Sequence, residues 1–167
     1  MRRILIMGLT GLVLALSLTA CGGGGKSSTT DQAQKDADLY AIDQIEKTWH
    51  KASSTHDVDL MMSIWAPDAT FTIGPGQTLS GTKEIRNFFA TKAAPFLAEN
   101  HWVSDTPAYK IRTSVNGDKG TLYFECHYVD VKTSKVVAVV GADQNVARIN
   151  GRWLITNSVG ASPTLGS

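Results

Sequence analysis

The sequence predicts a single α+β domain in which three N-terminal helices cover one face of a curved antiparallel sheet. Three observations point there. Apolar residues recur at three- and four-residue spacing between Leu39 and Phe96. After residue 100 the chain becomes rich in β-branched and aromatic residues, in runs broken by turn dipeptides. The whole chain has 167 residues, 43% hydrophobic and 19% charged, which is enough to bury one core of ordinary size.

The chain opens with a targeting pattern. Arg2 and Arg3 precede an apolar run from Ile4 to Leu18, which has signal-peptide length and is too short for a comfortable membrane span. Leu18, Thr19, Ala20 and Cys21 resemble the lipobox of bacterial lipoproteins. That resemblance implies cleavage before Cys21, lipidation of Cys21, and export to the cell envelope with a lipid anchor in a membrane. Several acyl chains on one terminus anchor stably, where one alone is marginal. Gly22 stands where an aspartate would mark inner-membrane retention, so an outer-membrane address is expected in a Gram-negative host and the outer face of the cytoplasmic membrane otherwise. Residues 21–35 are Cys21 followed by Gly, Ser, Thr, Gln, Asp and Lys with the single Ala33, a composition that predicts a flexible tether of about 20 Å average reach. The expected division is 1–20 leader, 21–35 lipidated cysteine and tether, 36–162 folded domain, and 163–167 tail.

Within the domain, Leu39, Ile42, Ile45, Trp49 and Ala52 form one buried stripe of an amphipathic helix, with Glu46 among the residues on its polar faces. Thr55 or Asp57 can cap a short second helix through Leu60, Met61 and Ile64, ended by Pro67. Ala69 to Ile73 predicts a strand, Gly74, Pro75 and Gly76 a turn, and Gly81 the start of a third helix burying Ile85, Phe88 and Phe89. Four extended segments follow, at 109–115, 121–131, 136–149 and 153–159. Asn116-Gly117, Thr133-Ser134 and Asn150-Gly151 separate them at hairpin spacing, which predicts an antiparallel meander.

The run Trp49, His56, Asp57, Leu60, Trp65, Ala66, Pro67, Asp68, Ala69, Thr70 and Phe71, followed by Gly81, Ile85 and Phe88, resembles the SnoaL-like branch of the nuclear transport factor two-like superfamily. Asn150, Gly151, Arg152 and Trp153 resemble its final hairpin. The resemblance covers residues 36–160 and implies a cone-shaped barrel with a pocket at its open end. It says little about function, because this fold hosts isomerases, cyclases, dehydratases and binding modules.

Alternation places Leu122, Phe124, Cys126 and Tyr128 toward the pocket. Comparison with the ketosteroid isomerase branch points Val137, Val139, Gly141, Asp143 and Asn145 inward as well. The expected pocket is therefore Trp49, Phe71, Ile73, Phe88, Phe124, Cys126, Tyr128, Asp143 and Asn145. The isomerase chemistry itself does not transfer. Its proton-abstracting aspartate falls near Ile73, its oxyanion-hole tyrosine on Trp49, and its protonated aspartate on Asn145, so the base is gone.

Two function classes remain from the sequence. One is a non-catalytic module that binds a small apolar or amphipathic ligand, or an envelope partner. The other is an isomerase, cyclase or dehydratase using Asp143 with Tyr128 or Asn145 as acid and base. His50, His56, His101 and His127 share no metal-ligand spacing, so no metal or cofactor is expected. Cys126 is the one cysteine besides Cys21, and its neighbour His127 points to the opposite face, so an inert buried thiol is expected. Removal of Arg2 and Arg3 leaves a net charge of about −1 with no basic cluster, which argues against nucleic acid. Val136, Ala138, Val140, Ala142 and Val146 are expected on the outer face, where an apolar surface would serve a homodimer.

Overall fold

The computed structural model describes residues 26–164, with side chains from Thr29 onward, so the leader and Cys21 lie outside the described residues. Helix α1 runs from Lys26 to Ser54. The expected tether thus ends earlier than its composition suggested, because residues 26–35 are helical. Gln32 and Gln34 donate to Asp36 and Asp38 at 2.7 and 3.0 Å, each spanning one helical turn and supporting the first half of the helix. Thr29 to Ala37 are all exposed, and burial begins at Asp38.

The predicted stripe holds: Ile42, Ile45, Trp49 and Ala52 are buried. The buried face is wider than predicted, however, and includes Glu46, His50 and Ser53, each at 0% exposure. α1 ends in a left-handed turn at His56 (φ 56°), where Asp57 N–H returns to Ala52 O at 2.9 Å. Asp57 then caps α2 (Val58–Met62) by accepting from Leu60 N at 2.8 Å. Two helices are joined with almost no loop, and the Thr-His-Asp segment is fully used in joining them.

Strands β1 (Trp65–Gly74) and β2 (Gln77–Ser80) form a hairpin, followed by α3 (Gly81–Thr91) and a single 3₁₀ turn at Ala94–Phe96. Pro67 therefore sits inside β1, beside the irregularity in its pairing, and does not end the preceding helix. The short β3 (Trp102–Ser104) precedes the meander β4 (Lys110–Asn116), β5 (Lys119–Asp130), β6 (Lys135–Ile149) and β7 (Arg152–Ala161). The sheet order is β2-β1-β7-β6-β5-β3, with β4 also on β5. The sheet is curved and unclosed, and β1 runs parallel to β7, so the cone is neither a closed barrel nor wholly antiparallel.

The last hairpin behaves as its sequence implied. Asn150 and Gly151 both take positive φ, at 51° and 76°, the conformation of a two-residue turn that twists with its strands. Trp153 then reaches α1, its Nε1 donating to Asp38 at 3.3 Å, while Arg148 donates to the same carboxylate at 2.6 Å. Arg152 donates to Ser63 O at 2.9 Å, tying the hairpin to the end of α2. α1 lies across the concave face of the sheet, over β3, β4, β5 and β7, and α3 covers β1 and β2.

Register on β6 corrects the predicted faces. Asp130 pairs with Lys135 and Val129 with Val136, but Tyr128 pairs with Ala138. Val137 is bulged out, and that extra residue reverses every side chain beyond it. Phe124 is opposite Ala142 and Tyr123 opposite Asp143. Ala138, Val140, Ala142, Gln144 and Val146 therefore share the concave face with Leu122, Phe124, Cys126 and Tyr128. Asp143 and Asn145 are exposed on the convex face. Of the apolar residues expected outside, only Val136 is there, 55% exposed, with the bulged Val137 beside it at 41%.

Candidate functional site

The concave side encloses a cavity of ≈ 280 Å³ at the end of the sheet where the carboxy-terminal half of α1, α3 and the 3₁₀ turn converge. Its walls are aromatic. Trp49 stands at the centre, with ring centroids 5.5 Å from Phe89, 5.7 Å from Phe124 and 6.2 Å from Phe71, all edge-to-face. Phe88 closes on Phe71 at 5.6 Å, and Phe96 from the 3₁₀ turn closes on Phe89 at 5.3 Å. Val140, Gly141 and Ala142 of β6, with Gly160 of β7, form the sheet wall, and Lys92 and Thr72 stand among the lining residues.

The buried polar element of the cavity is a pair of hydroxyls. Tyr128 donates to Ser53 Oγ at 3.2 Å, and Ser53 in turn donates to Trp49 O at 2.9 Å, the turn preceding it on α1. Burial pushes the Tyr128 phenol above its ordinary value, so it stays protonated and acts as a hydrogen-bond donor at any physiological pH. Burial also pushes the Cys126 thiol up to about 12. A protonated thiol of this kind is a poor nucleophile, in keeping with the inert role read from the sequence.

Of the nine expected pocket residues, the structure brings Trp49, Phe71, Ile73, Phe88, Phe124 and Tyr128 to the cavity. Cys126 is on the concave face but fully buried behind the lining. Asp143 and Asn145 are on the other side of the sheet, so the pairing of Asp143 with Tyr128 or Asn145 as acid and base in one pocket is ruled out by the bulge at Val137. Sequence reasoning missed Ser53, Phe89, Phe96 and Lys92. Ser53 is four residues beyond Trp49 on the same helix face, a spacing the sequence offered. The turn that brings Phe96 and Lys92 over the opening gave no such signal.

Two polar clusters lie away from the cavity. Under α1, Glu46 Oε1 accepts from Ala108 N at 2.7 Å and lies 2.5 Å from His50 Nδ1, without hydrogen-bond alignment to the ring. The His50 ring packs edge-on to Phe124 at 5.0 Å. On the convex face, Glu125 is at 0% exposure and accepts from Tyr109 Oη at 2.7 Å, from Tyr123 Oη, and from Thr164 N and Oγ1 at 2.9 and 2.7 Å. Lys110 Nζ adds an ion pair at 3.1 Å. Burial pushes the Glu125 carboxyl up, and the hydroxyl donors Tyr123, Tyr109 and Thr164 outweigh that and hold it well below the usual carboxylate range. Of the expected tail at 163–167, Thr164 bonds to the sheet through Glu125, and residues 165–167 lie outside the described residues. His127 is held by Asp105, which accepts from its backbone N at 2.9 Å and lies 2.8 Å from its Nδ1. Among the described residues, no group of three or more metal-ligating side chains comes together.

The fold has many relatives of known structure. A nuclear transport factor two-like protein with a cystatin-like fold from Novosphingobium aromaticivorans matches 87% of this chain and 94% of its own, at 14% identity and TM-score 0.73. A candidate aromatic ring hydroxylase from the same organism matches 77% and 92%, at 21% identity and TM-score 0.60. A candidate ketosteroid isomerase from Shewanella frigidimarina matches 72% and 94%, at 15% identity and TM-score 0.59. At such identities these likenesses concern the fold alone. Comparison with curated proteins finds no match. The family model for the SnoaL-like domain matches residues 35–159, which takes in most of α1, the other helices, nearly all of the meander and every cavity-lining residue but Gly160. The chain therefore belongs to the SnoaL-like domain family, within the nuclear transport factor two-like superfamily.

Proposed function

We propose that the domain binds a small, largely apolar ligand in the aromatic cavity without transforming it. One observation supports this reading above the others: the lining offers seven aromatic rings, the hydroxyls of Tyr128, Ser53 and Thr72, and Lys92, but no carboxylate and no imidazole. Proton abstraction needs a base within reach of the substrate, and the phenol of Tyr128 is held protonated. What the cavity supplies is an apolar enclosure with few polar groups, the usual make-up of a ligand site. The test is native mass spectrometry with naphthalene-sized alcohols, whose adducts should appear on the wild type and vanish in Ala142→Trp, where the indole fills the cavity. The far-ultraviolet spectrum should show that the variant is folded. Equal binding by both proteins would place the ligand elsewhere and overturn the reading.

An enzymatic reading, suggested by the names given to the candidate isomerase and hydroxylase, would need a base from outside the lining residues described here.

We further propose that lipid on Cys21 holds the domain at a membrane, a reading supported by the Leu18-Thr19-Ala20-Cys21 run. Labelled palmitate should be incorporated by the wild type and not by Cys21→Ser, with the domain equally stable in both. Absence of label from the wild type would overturn this.

A further inference from the structure

The cavity opens onto a second depression, a groove of ≈ 350 Å³ along α3, and the two share Ile73, Phe88 and Lys92. Their chemistry differs. The cavity is aromatic, while the groove carries Lys83, Lys92, Asn87 and Gln77. Lys83 and Lys92 are both exposed and stand nine residues apart, about 14 Å along the helix. Neither ammonium takes part in any of the ion pairs of the described side chains, which use Lys47, Arg86, Lys110, Arg148 and two histidines.

Nearby acids are already engaged. Glu84, the one carboxylate in the groove, accepts from Ser80 N at 2.8 Å and so caps its own helix. Asp59 is taken by Arg86 at 2.6 Å. Lys92 is the C-cap residue of α3, and the carbonyl end of a helix carries only about half a negative charge. The two ammonium charges exceed that half charge and the carboxylate of Glu84, which stays charged while accepting from Ser80 N, by only about half a charge. The entrance to an apolar cavity is thus left with a net positive field and two uncommitted donors.

Resting on the binding reading above, we infer that the cavity's ligand is a small carboxylic acid, its apolar body among the rings of Trp49, Phe71 and Phe124 and its carboxylate at Lys92. The size agrees. At the ~30 Å³ that a water molecule takes in the liquid, the cavity holds a body of about nine heavy atoms, close to a bicyclic aromatic or a medium alkyl chain. A carboxylate at the rim keeps most of its hydration while meeting the ammonium, so the charge is not carried into the apolar enclosure, where it would be costly. At the inner end Tyr128 already gives its one proton to Ser53 Oγ at 3.2 Å, so the carboxylate is drawn to Lys92 at the rim.

The experiment compares 2-naphthoate with its neutral isostere 2-naphthalenemethanol by isothermal titration calorimetry, on the wild type, on Lys92→Gln and on Lys135→Gln, an exposed lysine at the start of β6 that lines neither the cavity nor the groove. The wild type should bind the acid about fivefold to tenfold more tightly than the alcohol, with the advantage shrinking as salt is raised. Lys92→Gln should remove that advantage and leave the alcohol unchanged, and Lys135→Gln should change neither. If acid and alcohol bind the wild type equally, or Lys92→Gln weakens both alike, the carboxylate inference is overturned while the cavity reading stands. If neither compound binds, the cavity reading fails and the inference with it.

Discussion

Phe124 and Glu125 are neighbours in sequence, and each is nearly inaccessible to solvent, yet they belong to regions of opposite chemistry. Phe124 faces the concave side, where stabilisation comes from ring on ring contact and the Tyr128 and Ser53 hydroxyls form the buried polar pair. Glu125 faces the convex side, where a buried carboxylate is surrounded by two phenols, an ammonium and the carboxy-terminal Thr164. The difference shows what each burial requires. An apolar wall needs only shape and area, so it can leave a hollow in its midst and remain stable. A buried charge needs every oxygen satisfied, and there both carboxylate oxygens are met, down to the donors that Thr164 brings from beyond the last strand.

The comparison can be tested from either side. Phe124→Ala carries the largest expected effect: it removes a ring that touches both Trp49 and His50 and should cost about 3 to 5 kcal/mol in urea unfolding, as large-to-small core changes do. A loss below about 1 kcal/mol would mean that the aromatic wall collapses to refill the space. Next comes the acid sensitivity of Glu125. Its carboxyl titrates lower in the folded state than in the unfolded one, so its stabilising contribution is fully present above the ordinary carboxylate range near 4.3 and is lost as pH falls toward the folded value. Thermal midpoints taken from pH 6 down to pH 3 should fall more steeply for the wild type than for Glu125→Gln. Parallel curves would show that the cluster contributes nothing through its charge. The smallest effect is expected from Asp143→Asn, which should shift stability by less than about 0.5 kcal/mol and leave ligand binding untouched, since the side chain is exposed and on the face away from the cavity. A clear change in binding would mean that the two faces communicate through the sheet.

Much of this architecture is legible in the residues. The α1 stripe, the Asn150-Gly151 turn and the inward set on β5 all follow from local periodicity, because each is decided within one element. The face of Asp143 is decided elsewhere. Without a bulge, counting back from the β5–β6 turn pairs Leu122 with Asp143 and sends that aspartate inward, as expected from the alternation. One extra residue at Val137 pairs it with Tyr123 instead. Nothing in the Val-Val-Ala-Val-Val run marks which residue steps out of the ladder, since all are good strand formers. Glu125 was legible as outward-facing, but its burial depends on Tyr109 and Thr164, 16 and 39 residues away. The burial of Glu46 likewise depends on Ala108, 62 residues away. Contacts of that range leave no periodic trace.

The exposed stretch of α1 from Thr29 to Ala37 bears on how the domain would stand from anything joined to its amino end. Lys26 to Ala37 make about three turns, a rod of about 18 Å in place of a coil. A coil sets only how far two bodies can drift apart. A rod also sets a minimum separation, the length of the turns between Lys26 and the burial that begins at Asp38. Trp49 is 23 residues farther along the α1 axis, about 35 Å from Lys26, which puts the aromatic cavity at the distal end of the lever. With the lever upright, a surface holding the amino terminus could not hand a molecule directly to the cavity, and the ligand would have to cross the intervening water unaccompanied.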